Sequence, residues 1–291
     1  MNPDLSITIV GTGALGRTLA QALYRNGIAI ASLYNRTPAP ASELAEQLGA
    51  AATGIFPSAR EELGDVLFLT VPDDAVEQTA LELTGRIGDL TGITVAHCSG
   101  NLTSRALKAA TDRGATAAAF HPIQTFTYES GPADFEGIYI SLEGDDAAVE
   151  LLTGIAGRLG ATPLPVSQEA KPFLHAGAVM ASNYLVSLLD AAGKISELGG
   201  VEPMVARRAL MPLVRTALEN ASSGNLPEAL SGPIARGDVH TVRSHLNLLE
   251  HNPGLLSLYK QLGLRALELA RKKDSSGKKE AWETLNTMLN E

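Results

Sequence analysis

The feature that most restricts the fold is a glycine-rich turn near the N-terminus, between an apolar run and a helical pattern. The run Ser-Ile-Thr-Ile-Val leads without a break into Gly11, Thr12, Gly13, Ala14, Leu15 and Gly16. In this context the first glycine permits a tight turn, the second lets the backbone approach a pyrophosphate, and the third lets helix and strand pack closely. Free N–H groups and the helix dipole at the helix N-terminus favour a bound phosphate. The turn therefore predicts an α/β, mostly parallel sheet that binds a dinucleotide.

The end of the second predicted strand indicates which dinucleotide is bound. An NAD site places Asp or Glu there, about 20 residues beyond the turn, to bind the ribose 2′-hydroxyl. This chain has Asn35, Arg36 and Thr37 instead. A guanidinium and a hydroxyl suit a 2′-phosphate, which arginine binds through a pair of charge-assisted hydrogen bonds. We therefore predict NADP; the alternative is that Arg36 is an ordinary surface residue.

Two later strands are expected to bring further residues to the same edge of the sheet, because ligands of such folds bind at the carboxyl ends of the strands. The residues concerned are Thr70, Val71 and Pro72 after one strand and His97, Cys98, Ser99 and Gly100 after the next. We expect Ser99 and all three residues of the first group to line the cofactor crevice. Asp73 is interpreted as the N-cap of the following helix.

The chain changes character near residue 166. Before it, apolar or β-branched runs alternate with helical patterns, the order of a sheet layered by helices in which parallel neighbours are favoured. The strand candidates are SITIV, IAIASLY, DVLFLTV, ITVAHC, ATAAAF, GIYISL and TPLPV. Beyond Ser167 helical periodicity covers 172–199, 202–222, 238–251, 253–271 and 276–290. We predict a Rossmann-like dinucleotide-binding domain over 1–166 and an all-α domain for substrate binding and dimerisation over 167–291.

Several residues predict where helices begin and end. Asn26-Gly27 is typical of a helix C-terminus, closing a helix over 14–26, and a further helix is expected over 73–86. Asp238 and Asn252-Pro253 are typical of helix N-termini. The segment KKDSSGKK indicates a solvated break before the last helix.

Composition narrows the range of partners. A formal net charge of −9 disfavours nucleic acid, because phosphate neutralisation needs clustered Lys and Arg. The single cysteine, Cys98, excludes an internal disulfide and a cysteine-based metal site, which fits a reducing compartment and predicts a cytoplasmic protein. No stretch approaches the roughly 20 apolar residues of a membrane helix, and the N-terminus lacks a basic region, so we expect neither a membrane partner nor secretion.

A series of motifs gives the chain a family resemblance. In order they are GTGALG, YNRT, TVPDD, HCSG, HPIQTF, KPFLHAGAVMASNYL and SGPIARGD. With them the chain resembles, over nearly its whole length, a family in the 6-phosphogluconate-dehydrogenase-like superfamily. Its members pair a Rossmann-like domain with a helical domain long without a known function. The first three motifs are shared with ketopantoate reductases, pyrroline-5-carboxylate reductases and deazaflavin-dependent NADP oxidoreductases, whereas the last three are specific to the family.

The resemblance implies NADPH-dependent reduction of a small carbonyl or imine in a cleft between two domains, and some similar proteins are thought to reduce ketopantoate. Ketopantoate reductases of the common kind carry Lys-x-x-x-Asn on the first interdomain helix, with lysine as proton donor. This chain has Lys171 and, in place of the asparagine, His175. The departure at His175 leaves the transfer of that mechanism open.

Residue chemistry independently points to this helix, because hydride delivery to a carbonyl creates an alkoxide that needs a proton donor or positive group nearby. Lys171 and His175 lie four residues apart and share one helix face. Pro172 fits the first turn of a helix, which places Lys171 near the positive end of the dipole. The alternative for Lys171 is a solvent-facing side chain. Asn183 lies about two turns after His175 and can border the same cleft; its alternative is a satisfied buried amide.

Two further candidates lie outside that helix. His121 opens a long Gly- and Pro-containing loop after a strand, where sites are commonly built, although a structural role is also open. Arg236 follows a helix break and would bind a substrate carboxylate through two hydrogen bonds, whereas Asp238 is explained by capping. His240 and His245 show no ligand spacing that supports a metal site.

Three functional hypotheses follow from these residues. The first is an NADPH-dependent reductase of a small 2-oxo acid, in which Arg36 selects the cofactor, Arg236 or Lys171 binds the acid, and His175 or Lys171 donates the proton. The second is imine reduction of the pyrroline-carboxylate type. The third is a non-catalytic protein that senses the NADPH/NADP ratio, which would lack convergent polar groups opposite the nicotinamide. The small and apolar residues over 172–199 also predict a homodimer.

Overall fold

The structure is a computed structural model that describes residues 5–222, 224–273 and 278–291. The chain folds into two compact units, Met1–Ser182 and Asn183–Glu291. The first contains every strand of the described sheet, whereas the described residues of the second form helices and their connections, without a strand. The strands end at Pro165, close to the predicted boundary after residue 166, whereas the compact units divide later because the following helix belongs to the first unit.

The first unit is built on an eight-stranded sheet with the order β3-β2-β1-β4-β5-β6-β7-β8. Its strands are β1 (Ser6–Val10), β2 (Ala29–Tyr34), β3 (Ala52–Gly54), β4 (Val66–Leu69), β5 (Thr94–His97), β6 (Thr116–Pro122), β7 (Tyr139–Gly144) and β8 (Thr162–Pro165). The seven strand candidates from the sequence are confirmed, and the short β3 was not predicted. The predicted α/β, mostly parallel sheet is also confirmed.

One neighbouring pair departs from the expected parallel arrangement: β6 and β7 are antiparallel. The connection between them contains only the short 3₁₀ turn Pro132–Phe135 and no α-helix. Because it leaves and re-enters the sheet at the carboxyl edge, the chain does not cross to the opposite edge, as a parallel neighbour would require. This connection brings β7 beside His121.

Helices cover both faces of the sheet. The helices of this unit are α1 (Ala14–Arg25), α2 (Pro38–Leu48), α3 (Val76–Ile87), α4 (Lys108–Thr111), α5 (Asp146–Arg158) and α6 (Ala170–Ala181). Side chains of α1, α2 and α5, such as Leu23 and Ile155, share one apolar core with one face of the sheet. Side chains of α3 and α4, such as Leu83, share a second core with the other face. The sheet is thus buried on both sides, as parallel sheets require.

The predicted helix boundaries hold at three of the positions that the sequence marked. A helix begins at Pro253, directly after Asn252, as predicted. Asn26 is the C-cap of α1, and Gly27 adopts a φ of +72°. Asp238 caps the helix that follows it, because its Oδ1 accepts a hydrogen bond of 3.0 Å from the backbone N–H of Thr241. Part of the predicted break KKDSSGKK, residues 274–277, lies outside the described residues.

The second unit consists of helices α7 (Asn183–Leu198), α8 (Pro203–Ser222), α9 (Leu226–Ala229), α10 (Pro233–Arg236), α11 (Val239–Leu249), α12 (Pro253–Lys273) and α13 (Lys279–Asn290). The segment predicted as one helix over 172–199 is two helices, α6 and α7, divided at Ser182. A small core forms among α11, α12 and α13 around Trp282, whose indole Nε1–H donates to the carbonyl of Ile234 at 3.1 Å. The short helices α9 and α10 were not predicted.

Helices α7 and α8 pack mainly on each other and bury little of themselves. Within them only Ala191, Gly193 and Ala206 are buried. Their exposed large apolar side chains are Tyr184, Val186, Leu188, Ile195, Leu198, Met204, Val205, Leu213 and Leu218.

By length and composition alone, the described stretch Ala170–Leu198 could cross a membrane, although the sequence had predicted no such stretch.

Candidate functional site

The glycine turn has the geometry that its sequence predicts. Gly11 has a φ of +106°, and a Cβ there would lie 2.8 Å from the carbonyl oxygen of Thr70. A Cβ at Gly16 would collide with the carbonyl oxygen of Gly11. A Cβ at Gly13, the N-cap of α1, would meet nothing within 4 Å and would project into open space. Gly11 and Gly16 are therefore required for packing, whereas Gly13 keeps the space above the turn clear.

The residues of the turn fit a dinucleotide. Ala14 and Leu15 form the first turn of α1, which contains no acidic side chain to repel a phosphate. The Thr12 side chain is buried, and its Oγ1 has no hydrogen-bond partner. A buried hydroxyl without a partner is costly, and a ligand phosphate or ribose oxygen would satisfy it. Residues Gly11 to Gly16 would thus hold the pyrophosphate when the cofactor is bound.

Asn35 connects this turn to the end of β2. Its Oδ1 accepts a hydrogen bond of 3.2 Å from the Thr12 N–H, and its Nδ2 donates to the carbonyl of Thr37 at 2.9 Å. The side chain therefore fixes the backbone on both sides of Arg36. Arg36 and Thr37 are exposed, beside the turn, as binding of a 2′-phosphate would require. Their contact with the cofactor stays a prediction.

A hydrogen bond joins the ends of β4 and β5. The Ser99 hydroxyl donates to the carboxylate of Asp73 at 2.7 Å and accepts from the backbone N–H of Leu102 at 3.0 Å. The interpretation of Asp73 as a helix N-cap is wrong, because α3 begins at Val76 and Asp73 binds a side chain of the neighbouring strand end instead. Of the crevice residues predicted with Ser99, Thr70 donates its hydroxyl hydrogen to the Gly11 carbonyl, and Val71 and Pro72 follow it.

His97 holds the loop after β5. It is fully buried, its Nδ1 lies 3.2 Å from the Ser99 N–H, and its Nε2 lies 3.0 Å from the Thr103 carbonyl. Since Nδ1 must accept from an N–H, the proton is on Nε2 and the ring is neutral. Burial lowers the pKa of His97 to about 4, which agrees with that assignment. With both nitrogens satisfied inside the protein, His97 shapes the loop rather than reacting.

Gly100, in that loop, is packed between two histidine rings. A Cβ at Gly100 would collide with Nδ1 of His175 and lie 2.8 Å from Nε2 of His121. The two imidazole rings are 5.7 Å apart, nearly perpendicular to each other, and the Ser141 hydroxyl lies 3.5 Å from Nδ1 of His121. Burial, followed by the nearby charges of Lys171 and His175, lowers the pKa of His121 to about 4. The structure thus brings together two of the histidines that the sequence selected.

Lys171 is the most unusual residue of the cluster. It is the second residue of α6, only 1% of its surface is exposed, and its Nζ has no hydrogen-bond partner. The alternative of a solvent-facing lysine is therefore wrong. Nδ1 of His175, one turn further along, is likewise buried without a partner. Burial of an unpaired ammonium is costly, and burial lowers the pKa of Lys171 to about 8.

Two predicted site residues belong to the second unit. Asn183 is the first residue of α7, and Arg236 ends α10, just before the left-handed Gly237. His245, also in this unit, hydrogen-bonds the Tyr259 hydroxyl at 2.7 Å. The roles of Asn183 and Arg236 in a site stay predictions. Among the described residues, no group of three or more His, Cys, Asp and Glu side chains is placed to hold a metal ion.

Two domain families match the chain. The family described as NADP oxidoreductase coenzyme F420-dependent matches residues 6–95. A domain of unknown function, DUF2520, matches residues 138–266. The chain is an NADP oxidoreductase with a DUF2520 domain. The resemblance seen in the sequence, the enzymatic class and NADP as cofactor are thereby confirmed.

Solved structures share this fold over nearly the whole chain. Protein TM1727 from Thermotoga maritima is 26% identical, with a TM-score of 0.73 over 92% of this chain and 99% of that one. A reductive aminase from Aspergillus terreus, in complex with NADPH4, cyclohexanone and allyl amine, is 20% identical, with a TM-score of 0.61 over 98% and 99%. A pyrroline-5-carboxylate reductase from Coxiella burnetii is 18% identical, with a TM-score of 0.58 over 94% and 100%. No curated protein matches the chain in sequence.

Proposed function

We propose that this oxidoreductase uses NADPH to reduce the carbonyl group of a small compound, a 2-oxo acid such as ketopantoate, with Lys171 as the proton donor. The observation that carries the proposal is the buried Nζ of Lys171, which has no partner within the protein. A cation in that state is stabilised by a ligand that presents a negatively charged oxygen. Reduction of a carbonyl produces such an oxygen.

The proposed reaction transfers a hydride to the carbonyl carbon and a proton to the carbonyl oxygen. Bound NADPH supplies the hydride. As the new C–H bond forms at the carbonyl carbon, the π electron pair of the C=O bond moves to oxygen. An N–H bond of the Lys171 ammonium then breaks, its proton joins that oxygen to give the alcohol, and water returns a proton to the neutral amine. With a pKa of about 8, Lys171 is largely protonated at neutral pH yet a sufficiently strong acid for this transfer.

His175 and His121 are proposed to orient the substrate. Nδ1 of His175 is buried and without a partner, so it is available for a hydrogen bond to the substrate oxygen. His121 packs against the His175 ring and limits its orientations. Arg236 remains the candidate for the substrate carboxylate, and Asn183 for a further polar contact, both on sequence grounds.

The alternative of imine reduction differs in charge at the reacting group. An imine commonly reacts as a protonated iminium, which needs no proton donor and would be repelled by a cationic Lys171. A reductive aminase and a pyrroline-5-carboxylate reductase share this fold, so cyclic imines are included among the compounds to be tested. A non-catalytic NADPH sensor would not require buried polar atoms without partners. The Lys171 Nζ and the His175 Nδ1, one helical turn apart on α6, are two such atoms, and they favour an enzyme that turns over a substrate.

A substrate panel tests the proposal. Purified protein is incubated with NADPH and either small 2-oxo acids, neutral ketones or cyclic imines, and NADPH absorbance is followed. We expect turnover of 2-oxo acids by wild type and its loss in K171M, which removes the ammonium and keeps much of the apolar chain. Turnover of imines only, unaffected by K171M, would overturn the proposal. Tight NADPH binding without turnover of any compound would favour the sensor.

We also propose that the protein is a cytoplasmic homodimer in which a second copy covers α7 and α8. Both helices expose several large apolar side chains, and groups of exposed apolar residues commonly mark protein–protein interfaces. A lipid environment fits less well, because α7 carries the exposed ion pair Asp190–Lys194, with its Nζ and Oδ2 atoms 2.7 Å apart. Sedimentation without detergent should give twice the chain mass, and L213E in α8 should give monomers; monomeric wild type would refute the dimer.

A further inference from the structure

A second buried charge lies in the sheet, on β7. Glu143 is only 3% exposed. Its Oε2 accepts a hydrogen bond of 2.8 Å from the Ser104 N–H, and its Oε1 accepts one of 2.7 Å from the Ser104 hydroxyl. Within the described residues no cation forms an ion pair with this carboxylate. Burying a carboxylate that has only neutral hydrogen-bond donors costs free energy, so a functional reason for the charge at Glu143 is expected.

Strand register places Glu143 on the same face as the histidines of the site. Glu143 pairs with Ala119 of β6, and Ala119 pairs with His97 of β5. Directly paired residues share a face, and so do residues two apart on one strand. Ala119 is two residues before His121, and Glu143 is two residues after Ser141, the partner of His121. Glu143 therefore belongs to the buried polar face of the sheet that carries His97 and His121.

Helix α6 meets this polar region at His121. The ring of His175 contacts the His121 ring edge-on, and both press against Gly100. Lys171 lies one turn before His175 on the same helix face and is buried there. Lys171 interacts electrostatically with Glu143 of β7, with His97 of β5 and Cys98 just after it, with Asp73 in the segment after β4, and with His121 of β6. The titratable group nearest to it along α6 is His175, one turn further on.

We infer that Glu143 is a positioning residue whose fixed negative charge keeps the buried Lys171 protonated, and so able to donate its proton to the substrate. The inference rests on the proposed function of Lys171. Both oxygens of Glu143 are held by Ser104, so the carboxylate stays in place while the Lys171 proton moves to the alkoxide and is replaced from water. Among the nearby groups that favour the ammonium form, Glu143 acts most strongly, and Cys98 and Asp73 act less.

The variant E143Q separates charge from hydrogen bonding. The amide oxygen of glutamine can accept from the Ser104 N–H, and the amide nitrogen can donate to the Ser104 hydroxyl, so both contacts persist without the charge. The control S104A keeps the carboxylate and removes one hydrogen bond. E143D keeps the charge but places it one methylene closer to the β7 backbone, and it replaces E143Q in the experiment if E143Q does not fold. Thermal unfolding and NADPH affinity establish that each variant is intact.

The direct measurement is titration of Lys171 by NMR in the full-length protein labelled with ¹³C-lysine, its signal assigned by its loss in K171M. We expect the Lys171 midpoint to fall by about one pH unit or more in E143Q, by less in E143D, and to stay near the wild-type value in S104A. An unchanged midpoint in E143Q or, failing that, in E143D overturns the inference. So does an equal fall in S104A.

Because the titration needs no substrate, its failure is distinct from failure of the proposed function. If the midpoint falls as expected but no carbonyl compound is reduced, the charge relation stands and the function is wrong. If carbonyl compounds are reduced, the alkaline limb of kcat/KM in E143Q should move to lower pH by the same amount as the NMR midpoint. A uniform loss of kcat/KM at every pH would indicate a structural role for Glu143.

Discussion

Gly100 provides a sharp test of how the candidate site is packed. Adding one methyl group in G100A places a Cβ against Nδ1 of His175 and 2.8 Å from Nε2 of His121. Gly100 is not among the glycines with positive φ, so the substitution strains side-chain packing and not the backbone. Both rings lie on regular elements, β6 and α6, which leaves little room for them to retreat without shifting the polar groups of the site.

The expected magnitude follows from two effects. Overpacking a buried position costs about 1–3 kcal/mol of stability. A displacement of a site group by about 1 Å can lower catalysis on the order of 100-fold. We therefore expect G100A to lose roughly that factor in kcat/KM with a 2-oxo acid, while NADPH affinity, which depends on the turn at Gly11 to Gly16, stays nearly unchanged.

The assay combines NADPH oxidation, NADPH binding by fluorescence and unfolding in urea. G85A is the matched control, because a Cβ at Gly85 in α3 would meet nothing within 4 Å. Alanine there should stabilise the exposed helix by roughly 1 kcal/mol and leave kcat/KM unchanged. If G100A has the same kcat/KM and the same free energy of unfolding as the wild type, then His121 and His175 do not pack against the loop as described.

Two more predictions follow from the cofactor and the buried histidines. In R36E, loss of the charge-assisted hydrogen bonds and the new repulsion should raise the KM for NADPH on the order of 10- to 100-fold and leave the KM for NADH nearly unchanged, with R36K intermediate; equal effects on both cofactors would contradict the role of Arg36. Burial depresses the pKa of His97 and His121 to about 4 in the folded protein, from an unfolded value of 6.5. Because the unfolded chain then takes up protons first, the two rings should not affect stability above about pH 6.5 and should lower it from there towards pH 4, by up to about 3 kcal/mol for the fully buried His97. A free energy of unfolding in urea that is the same at pH 5 as at pH 7 would contradict neutral burial of these rings.

Local sequence patterns predicted the glycine turn and most of the strands and helices. At Gly11 and Gly16 the turn has steric needs that only glycine meets, and the alternation of strand and helix patterns predicted the sheet. The antiparallel pairing of β7 was not predicted, because it depends on where a loop without an α-helix returns to the sheet. The division of α6 from α7 at Ser182 was missed because helical periodicity continues through it.

The site was only partly visible in the sequence. Lys171 and His175 could be selected by residue type and spacing, but the burial of Lys171 depends on packing from distant segments. His121 was selected as the first residue of a loop, and this placement was wrong, because β6 continues to Pro122. The strand candidate GIYISL stops at Leu142, one residue before Glu143, so the sequence did not place this acid in the sheet. The packing of Gly100 between two rings, and the bond between Asp73 and Ser99, join residues far apart in sequence and leave no local signal.

The pH dependence of 2-oxo acid reduction in wild type and K171M tests the central claim, that the buried Lys171 is the proton donor, most directly. A donor must be protonated, so kcat/KM for wild type should be constant at neutral pH and decline as the pH rises through about 8, the pKa of Lys171. K171M should retain NADPH affinity, lose most of kcat/KM and lack the decline near pH 8. The same decline in an active K171M would contradict the account.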